Sequence, residues 1–310
     1  MKIVFFGTGK FGLPALKKLL KSSHEVAAVV TAPDRKKGRG WNIQPMPVKA
    51  FLEQAAPGMD IFQPAKALEA AFIGSLKGIG ADIFVVVDYG RLLGKEILEV
   101  PRKYCVNLHP SLLPRYRGAS PVNWAILNGE EETGNTVIRM TERMDAGSII
   151  MQETTKIGGD ENVVDLLERL SRRGADLLSK ALDAIEAGQE RFREQDENAV
   201  SYAPKLEKKQ GRIDWAASAP EIIRKVRGMQ PWPGAFTYLD GRMIKILKAG
   251  PAGAGADAGT PGTVGGEGKF IVNTGSGAVR INILQLEGKK AMTSDEFLRG
   301  YRLRKGAMLK

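Results

Sequence analysis

The 310-residue chain is long enough for two domains, each with its own hydrophobic core. Its composition is typical of a soluble globular protein, with 43% hydrophobic and 26% charged residues. The single cysteine, Cys105, excludes an internal disulfide, and two histidines without a paired ligand spacing exclude a zinc cluster. Because no apolar run has the length of a signal segment or a bilayer span, we expect a cytoplasmic protein without membrane contact.

Positive charge is concentrated in the last third of the chain. Residues 1–207 carry 28 Lys and Arg against 27 Asp and Glu, whereas residues 208–310 carry 18 against 8. This division suggests small-molecule chemistry in the first part and a polyanionic partner, nucleic acid above all, for the second. A basic domain that is merely soluble fits the charge equally well.

The chain begins with a strand and a glycine-rich turn. Residues 2–7 predict a buried strand that ends at Gly7. A G-x-G-x-x-G pattern over residues 7–12 then leads into an amphipathic helix, which is the context of a dinucleotide site. The next strand, residues 26–31, runs into Pro33 and Asp34, so the carboxylate lies in a turn and not where a ribose hydroxyl requires it. We therefore favour a tight turn against the sheet over a nicotinamide site.

A basic loop follows at residues 35–41. It combines four basic side chains with two glycines and Trp41. Such a mix suits phosphate contacts and base stacking. A solvated surface loop is an equally good interpretation.

Alternating strands and helices predict a three-layer, doubly wound sheet in the first part of the chain. The run at residues 82–87, which is apolar after Asp82, is typical of a parallel strand covered on both faces. It ends at Asp88, where open sheets bind ligands. The remaining predicted strands lie at residues 60–62, 105–108, 136–140 and 148–151, and the helices at residues 47–56, 65–77, 121–127 and 163–187.

The last part of the chain predicts a small β-barrel. Residues 191–210 lose the hydrophobic period and indicate a linker. A helix is expected at residues 220–229, and short strands at residues 235–239, 243–249, 269–273 and 279–286. Residues 250–268, with eight glycines and two prolines, predict a long surface loop. Basic residues on a barrel suit a nucleic-acid backbone.

Three polar side chains stand out in the middle of the chain. Asn107 and His109 are two residues apart at the end of an apolar run, so on a strand they point to the same side. Asp145 lies in a turn that could reach the same rim. An amide donor, an imidazole and a carboxylate at the mouth of a sheet suit acyl transfer. Cys105, in an apolar setting, is more typical of an inert core thiol than of a nucleophile.

The run Asn-x-His-x-Ser-Leu-Leu-Pro-Arg-x-Arg-Gly-Ala at residues 107–119, followed by Asp145, resembles the signature of the formyltetrahydrofolate-dependent formyltransferases. Further segments resemble the members of this family that act on methionyl-initiator tRNA. They are Phe6-Gly-Thr8, Pro33-Asp-Arg35, Gly38-Arg-Gly40, Pro45-x-Pro-Val-Lys49, Val86-Val-x-Tyr89-Gly90, Pro121, Tyr202-Ala-x-Lys205, Arg212-Ile-Asp-Trp215, Pro231-Trp-Pro-Gly-Ala235 and Gly288-Lys-Lys-x-Met292.

The resemblance implies an α/β fold: a Rossmann-like, doubly wound, mostly parallel sheet followed by a small OB-like β-barrel. We expect a catalytic domain at residues 1–190, a linker at 191–207 and a basic tRNA-binding barrel at 208–310. The implied reaction transfers a formyl group from 10-formyltetrahydrofolate, without a metal, to the α-amine of methionyl-initiator tRNA for translation initiation. We expect a monomer.

The resemblance also implies roles for individual residues. Asn107 would polarise the formyl oxygen and stabilise its negative charge, His109 would assist, and Asp145 would set the charge of His109 and help to transfer protons. The residues implied in folate binding are Ser111, Leu112, Leu113, Pro114, Asp88, Tyr89, Gly90 and Leu92. Those implied in tRNA binding are Arg35, Lys36, Lys37, Arg39 and Lys205.

Asp88 departs from the family pattern, which has alanine there, and its carboxylate could bond a pterin amine or face solvent. Three other functions are each compatible with part of the sequence: formyl transfer to a sugar nucleotide or purine precursor, nicotinamide-dependent oxidoreduction, and RNA binding alone. The basic barrel argues against the first. The second and third leave Asn107, His109 and Asp145 without a purpose.

Overall fold

A computed structural model describes residues 1–37, 42–65, 69–253, 259–265, 268–301, 303–304 and 306–310 of the chain. The chain divides into two compact units. Unit 1 comprises Met1–Pro121, Glu132–Lys156 and Leu167–Ala203, and unit 2 comprises Val122–Glu131, Ile157–Leu166 and Pro204–Lys310.

The first part of the chain alternates strands and helices, as its hydrophobic pattern predicts. In chain order the elements are β1 (Lys2–Gly7), α1 (Leu13–Leu19), β2 (Glu25–Val30), β3 (Arg35–Lys37), β4 (Asn42–Gln44), α2 (Pro47–Ala55), β5 (Ile61–Phe62), α3 (Ala70–Ile79), β6 (Ile83–Val87), α4 (Lys95–Leu98), β7 (Tyr104–His109), α5 (Pro121–Leu127), β8 (Glu132–Arg139), β9 (Ile149–Lys156) and α6 (Val163–Glu186).

Seven strands form the sheet of unit 1, in the order β5-β2-β1-β6-β7-β8-β9. The strands from β5 to β7 pair in parallel, and β8 and β9 add antiparallel pairs at one edge. Every residue of β6 is buried, which is expected of a central parallel strand covered on both faces. The predicted doubly wound, mostly parallel sheet is confirmed.

Apolar faces on both sides of this sheet hold unit 1 together. On one side, leucines of α6 including Leu178 and Leu182 pack with Val106 and Leu108 of β7 in one buried cluster. On the other side, Phe84 and Cys105 belong to a second cluster. Burial of a large apolar side chain contributes about 1.5–3 kcal/mol. These two layers fix β7 in the middle of the unit.

Unit 2 contains a curled antiparallel sheet. Its elements are α7 (Ala219–Gly228), β10 (Ala235–Leu239), β11 (Arg242–Pro251), β12 (Val264–Gly265), β13 (Ile271–Asn273), β14 (Ala278–Leu286), β15 (Ala291–Thr293) and α8 (Ser294–Gly300). The strand order is β10-β11-β14-β13-β12, with β15 beside β14.

The last residues of the chain join the two edges of this sheet. Leu309 bridges Leu239 of β10, and Met308 bridges Thr263 just before β12. The curled sheet therefore encloses a core that includes Trp215 and Phe270. This arrangement agrees with the predicted small barrel, although the sequence pattern did not indicate the closing segment.

Two local differences from the sequence prediction concern the basic loop and α3. The loop is flanked by an antiparallel pair in which Arg35 faces Gln44, so its ends are strands. Helix α3 begins at Ala70, not at residue 65 as predicted. Among the residues described above, no helix is both long and apolar enough to cross a membrane.

Candidate active site

Asn107 and His109 lie at the carboxyl end of β7. The register pairs Asn107 with Val86 of β6 on one side and with Ile138 of β8 on the other. Both side chains turn toward Asp145, so they share the face that strand periodicity predicts. The structure thus brings the three predicted catalytic side chains together.

Asp145 lies in the turn between β8 and β9 and faces both side chains. Its Oδ2 accepts a hydrogen bond from the backbone N–H of Gly118 at 2.9 Å. Its Oδ1 lies 3.5 Å from Nδ2 of Asn107. The side chain is 14% exposed, so the carboxylate is largely sheltered yet still reaches solvent. Asp145 has a φ of +52°, a left-handed conformation that is uncommon for a residue other than glycine.

The two ring nitrogens of His109 have different partners. Nε2 lies 3.0 Å from the carbonyl oxygen of Tyr116, which can only accept, so Nε2 carries a proton. Nδ1 lies 3.7 Å from Oδ2 of Asp145. In the neutral ring Nδ1 is therefore the nitrogen that can take a proton, and Asp145 stabilises the charge that results.

The predicted folate-binding run at residues 111–114 is partly buried. Ser111 is fully buried and its hydroxyl donates to the carbonyl of Arg115, while Leu113 packs with Ile138. Leu112 and Pro114 are half-buried. Leu112 and Pro114 therefore present side-chain surface to a ligand, whereas the buried Ser111 and Leu113 shape the backbone.

The Asp88–Leu92 loop follows β6 at the same edge of the sheet as Asn107. Leu92 is 71% exposed, and the space beside Gly90, whose φ is +76°, is open. Tyr89 is buried. The loop thus offers a glycine and an exposed apolar side chain next to the candidate catalytic residues.

Both the backbone carbonyl and the carboxylate of Asp88 contact the glycine-rich turn at residues 7–12. Its backbone carbonyl accepts the N–H groups of Thr8 and Gly9, and its Oδ2 lies 1.9 Å from where a Cβ of residue 9 would be. Although part of the side chain is exposed, burial of the carboxyl group against this turn raises the pKa of Asp88 to about 6, with an opposing hydrogen bond from the backbone of Phe11.

These contacts bear on the dinucleotide alternative. The backbone N–H groups that such a site aims at a pyrophosphate are bonded to Asp88. The second expected element, a carboxylate for the ribose, is engaged as well: Asp34 lies 2.6 Å from Nζ of Lys49, and hydrogen bonding to Lys49 lowers the pKa of Asp34. Neither element is free for a nicotinamide cofactor.

Cys105 lies on β7 below Asn107, away from solvent. Its thiol faces the carbonyl of Leu98 at 3.7 Å, and burial raises the pKa of Cys105 to about 12. A thiol with such a pKa is not ionised at neutral pH, so Cys105 is a core residue and no nucleophile.

The predicted tRNA-binding residues are spread over the chain. Arg35 is exposed on β3, Lys36 and Lys37 follow it on that strand, and Lys205 is exposed in unit 2. Arg39 lies outside the described residues.

Sequence reasoning missed four contributors to this site. The N–H of Gly118 and the carbonyl of Tyr116 are backbone groups, which residue type does not reveal. The side-chain amide of Gln195 donates to the backbone carbonyl of Asp145 and accepts two hydrogen bonds from Arg117. The motif spacing includes Arg117 but gave it no role, and Gln195 falls in the stretch predicted as a linker.

Two family models match the chain. The model described as formyl transferase covers residues 1–182, and the model described as formyl transferase, C-terminal domain, covers residues 205–302. The chain belongs to the formyl transferase family.

Relatives in the formyl transferase family match over the whole chain. A protein of Geotalea uraniireducens (strain Rf4) named methionyl-tRNA formyltransferase is 44% identical over 312 residues, covering 100% of this chain and 98% of the relative. A protein of the same name from Lachnospira eligens is 43% identical, covering 100% of this chain and 99% of the relative.

Two solved structures share the fold of this chain. WlaRD, a sugar 3N-formyl transferase crystallised with dTDP and 5-N-formyl-THF, matches with a TM-score of 0.67 at 20% identity, covering 94% of this chain and 99% of that chain. HypX from Aquifex aeolicus in complex with tetrahydrofolic acid matches with a TM-score of 0.66 at 20% identity, covering 96% of this chain and 47% of that chain. Both likenesses concern the fold alone.

Proposed function

We propose that this protein transfers the formyl group of 10-formyltetrahydrofolate to the α-amino group of methionyl-initiator tRNA. The observation that carries the proposal is the cluster of Asn107, His109 and Asp145 at the sheet edge of a formyl transferase. Full-length relatives with the name methionyl-tRNA formyltransferase support the choice of acceptor.

The reaction joins the amine nitrogen to the formyl carbon and breaks the bond from that carbon to N10 of the folate. The amine loses a proton and N10 gains one, so the products are N-formylmethionyl-tRNA and tetrahydrofolate. No external oxidant, reductant or metal is needed for this balance.

Asn107 is the donor for the formyl oxygen. Its Nδ2 lies 3.5 Å from Asp145, a long contact that leaves an N–H group available for a ligand. As the amine adds, negative charge develops on that oxygen, and a fixed amide donor stabilises it. Loss of one such donor costs about 2.7–4 kcal/mol in other acyl-transfer enzymes.

His109 accepts the proton that the amine loses, and Asp145 stabilises the resulting charge. A free α-amine has a pKa of about 7.7–8.0, so a modest base suffices at neutral pH. Nδ1 of neutral His109 can take the proton, directly or through a water, because Nε2 is already bonded to Tyr116. The carboxylate of Asp145, 3.7 Å from Nδ1, then stabilises the imidazolium.

The folate co-substrate is proposed to lie between two segments of unit 1. The loop of Asp88, Tyr89, Gly90 and Leu92 supplies an exposed apolar side chain and the open space at Gly90. The run of Ser111, Leu112, Leu113 and Pro114 supplies two half-buried apolar side chains. These largely apolar surfaces fit an aromatic ring system with polar edges better than they fit a phosphate.

The tRNA is proposed to contact basic residues on both parts of the chain. Residues 208–310 carry 18 Lys and Arg against 8 Asp and Glu. Arg35, Arg39 and Lys205 extend this positive charge beyond that segment. Phosphate contacts of this kind supply salt-dependent affinity for nucleic acid.

We further propose that the protein acts as a cytoplasmic monomer, with a catalytic domain at residues 1–190 and a tRNA-binding barrel at residues 208–310 joined by a linker. Sedimentation equilibrium tests whether the protein is a monomer. A mass of twice 33.7 kDa at micromolar concentration would contradict it.

The proposed function is tested by offering the purified protein several acceptors with 10-formyltetrahydrofolate. We expect formylation of methionyl-tRNA and none of a nucleotide-linked amino sugar. A parallel assay follows NAD(P)H absorbance and should show no change. Formylation of the sugar alone would replace the proposed acceptor, and NAD(P)H turnover would revive the oxidoreductase alternative.

A further inference from the structure

We propose that Gln195 is a positioning residue for formyl transfer, which holds Asp145 against His109 and is itself fixed by the buried guanidinium of Arg117. The proposal rests on the proposed function for its kinetic part only. It concerns the segment of residues 193–203, which the sequence pattern assigns to a linker.

Both ends of the Gln195 amide are engaged. Nε2 donates to the carbonyl oxygens of Asp145, at 2.8 Å, and Gly147, at 2.7 Å. Oε1 accepts from Nε of Arg117 at 3.0 Å and from Nη2 at 2.8 Å. Because a guanidinium only donates and a carbonyl only accepts, the amide has one orientation. Gln195 is therefore locked across the turn that carries Asp145.

Arg117 is 1% exposed, an unusual position for a cation. Its Nη2 also pairs with Glu197 at 3.0 Å, and hydrogen bonding to Arg117 lowers the pKa of Glu197. A buried charge with fixed partners is costly to disturb, so the guanidinium anchors the amide rigidly. The two hydrogen bonds to Gln195 connect this anchor to the catalytic turn.

The backbone of the turn that carries Asp145 needs contacts that hold it in place. Asp145 has a φ of +52°, a left-handed conformation that persists in a residue other than glycine only where surrounding contacts enforce it. A Cβ at Gly147 would come within 1.7 Å of the carbonyl oxygen of Arg139, so the turn also packs closely on β8. The side-chain amide of Gln195 donates hydrogen bonds to two carbonyls of this turn, those of Asp145 and Gly147.

The same segment holds the other partner of His109. The N–H of Tyr116 donates to Oγ of Ser201 at 2.9 Å, and the N–H of Arg117 donates to the carbonyl of Ser201 at 2.9 Å. The carbonyl of Tyr116 accepts from Nε2 of His109. Residues 193–203 thus support both the carboxylate at Nδ1 and the carbonyl at Nε2.

The decisive variant is Gln195→Glu. It keeps an acceptor for Arg117 but removes the N–H groups that hold the carbonyls of Asp145 and Gly147. We expect kcat to fall roughly 10- to 100-fold, as small displacements of a catalytic group do, with KM for both substrates changed by less than about two-fold. Gln195→Met removes both contacts and should lower kcat further. Gln189→Met, at an exposed glutamine of unit 1, is the matched control.

A spectroscopic readout separates positioning from a general loss of stability. The chain has two histidines, so the imidazole nitrogens can be assigned in a long-range ¹H–¹⁵N correlation spectrum. In the native protein we expect the neutral ring of His109 to carry its proton on Nε2, because the carbonyl oxygen of Tyr116 can only accept. In Gln195→Glu the Nδ1 signal of His109 should shift, because the carboxylate of Asp145 that faces Nδ1 is displaced, while the signals of His24 stay unchanged.

The outcomes divide cleanly. A folded Gln195→Glu variant with native kcat and native His109 signals overturns the proposal. If Gln195→Met does not fold, Gln195→Glu alone decides, because it retains the partner of Arg117. If the native protein transfers no formyl group, the proposed function fails, and unchanged His109 signals in Gln195→Glu would show separately that the positioning role of Gln195 fails too.

Discussion

Oδ2 of Asp145 lies 3.7 Å from Nδ1 of His109 and at the same time accepts the N–H of Gly118 at 2.9 Å. The carboxylate is therefore held by the backbone while it faces the imidazole. We therefore propose that the negative charge of Asp145, and not only its shape, is important for proton transfer.

Asp145→Asn should preserve the contact with Gly118 and remove the charge. We expect kcat to fall by about 100-fold or more, since general acid–base assistance is worth roughly 10²–10⁴. Steady-state kinetics with saturating folate and tRNA measure the change. Asp60→Asn, at an exposed aspartate of unit 1 just before β5, should retain native kcat. Equal activity of both variants would remove Asp145 from the mechanism.

Gly118→Ala should weaken both the fold and the site. Gly118 has a φ of +125°, and a Cβ there would lie 2.7 Å from the carbonyl oxygen of Ala203. We expect the free energy of unfolding to fall by about 1–3 kcal/mol, measured by urea denaturation. Gly74→Ala is the control: this exposed helical glycine has open space around it, so the change should be neutral or stabilising by roughly 0.5–1 kcal/mol. Similar stability losses in both variants would contradict the geometry at Gly118.

Asp88 should make stability depend on pH in an unusual direction. Burial raises its pKa from 3.8 to about 6 in the folded protein, so between these values the folded state binds more protons than the unfolded state. The contribution of Asp88 to the free energy of unfolding therefore falls as pH rises from about 4 to 6 and stays low above that.

Asp88→Asn removes this titration. Relative to the native protein, the variant should gain stability as pH rises through that window, and urea midpoints at pH 4.5, 5.5 and 7 measure the difference. A difference that is constant with pH would show that Asp88 has an ordinary pKa.

Arg35→Ala and Lys205→Ala should weaken binding of methionyl-tRNA without altering KM for folate. Each lost phosphate contact should reduce the slope of log K against log salt by about 0.7–0.9. Fluorescence anisotropy over a salt series gives the slopes. Lys21→Ala, at an exposed lysine just after α1, is the control. Slopes equal to that of the native protein in both test variants would separate these residues from the tRNA site.

The sequence predicted those parts of the fold that depend on hydrophobic periodicity. The continuous apolar run of β6 and the leucine stripe of α6 gave a parallel sheet with covered faces, and alternation along β7 placed Asn107 and His109 on one side. These patterns follow directly from burial and strand geometry, so they are readable without neighbours.

Other features depend on contacts between distant residues and left no local pattern. Gln195 lies in a stretch without hydrophobic period, yet it is only 9% exposed because its amide finds partners in the Asp145 turn and in Arg117. Arg117 is a charged residue, which composition alone assigns to the surface. The segment that carries Met308 and Leu309 closes the sheet of unit 2 through main-chain pairing. The glycine-rich turn was interpreted from the sequence as a tight turn against the sheet, but its contacts with Asp88 left no local pattern.

The central claim, that Asn107 stabilises charge on the formyl oxygen during transfer to methionyl-tRNA, is tested most directly by single-turnover formation of N-formylmethionyl-tRNA. We expect the native protein to form this product from methionyl-tRNA and 10-formyltetrahydrofolate, and folded Asn107→Ala to form it slower by the equivalent of roughly 2.7–4 kcal/mol. No product from the native protein, or a native rate from Asn107→Ala, would contradict the claim.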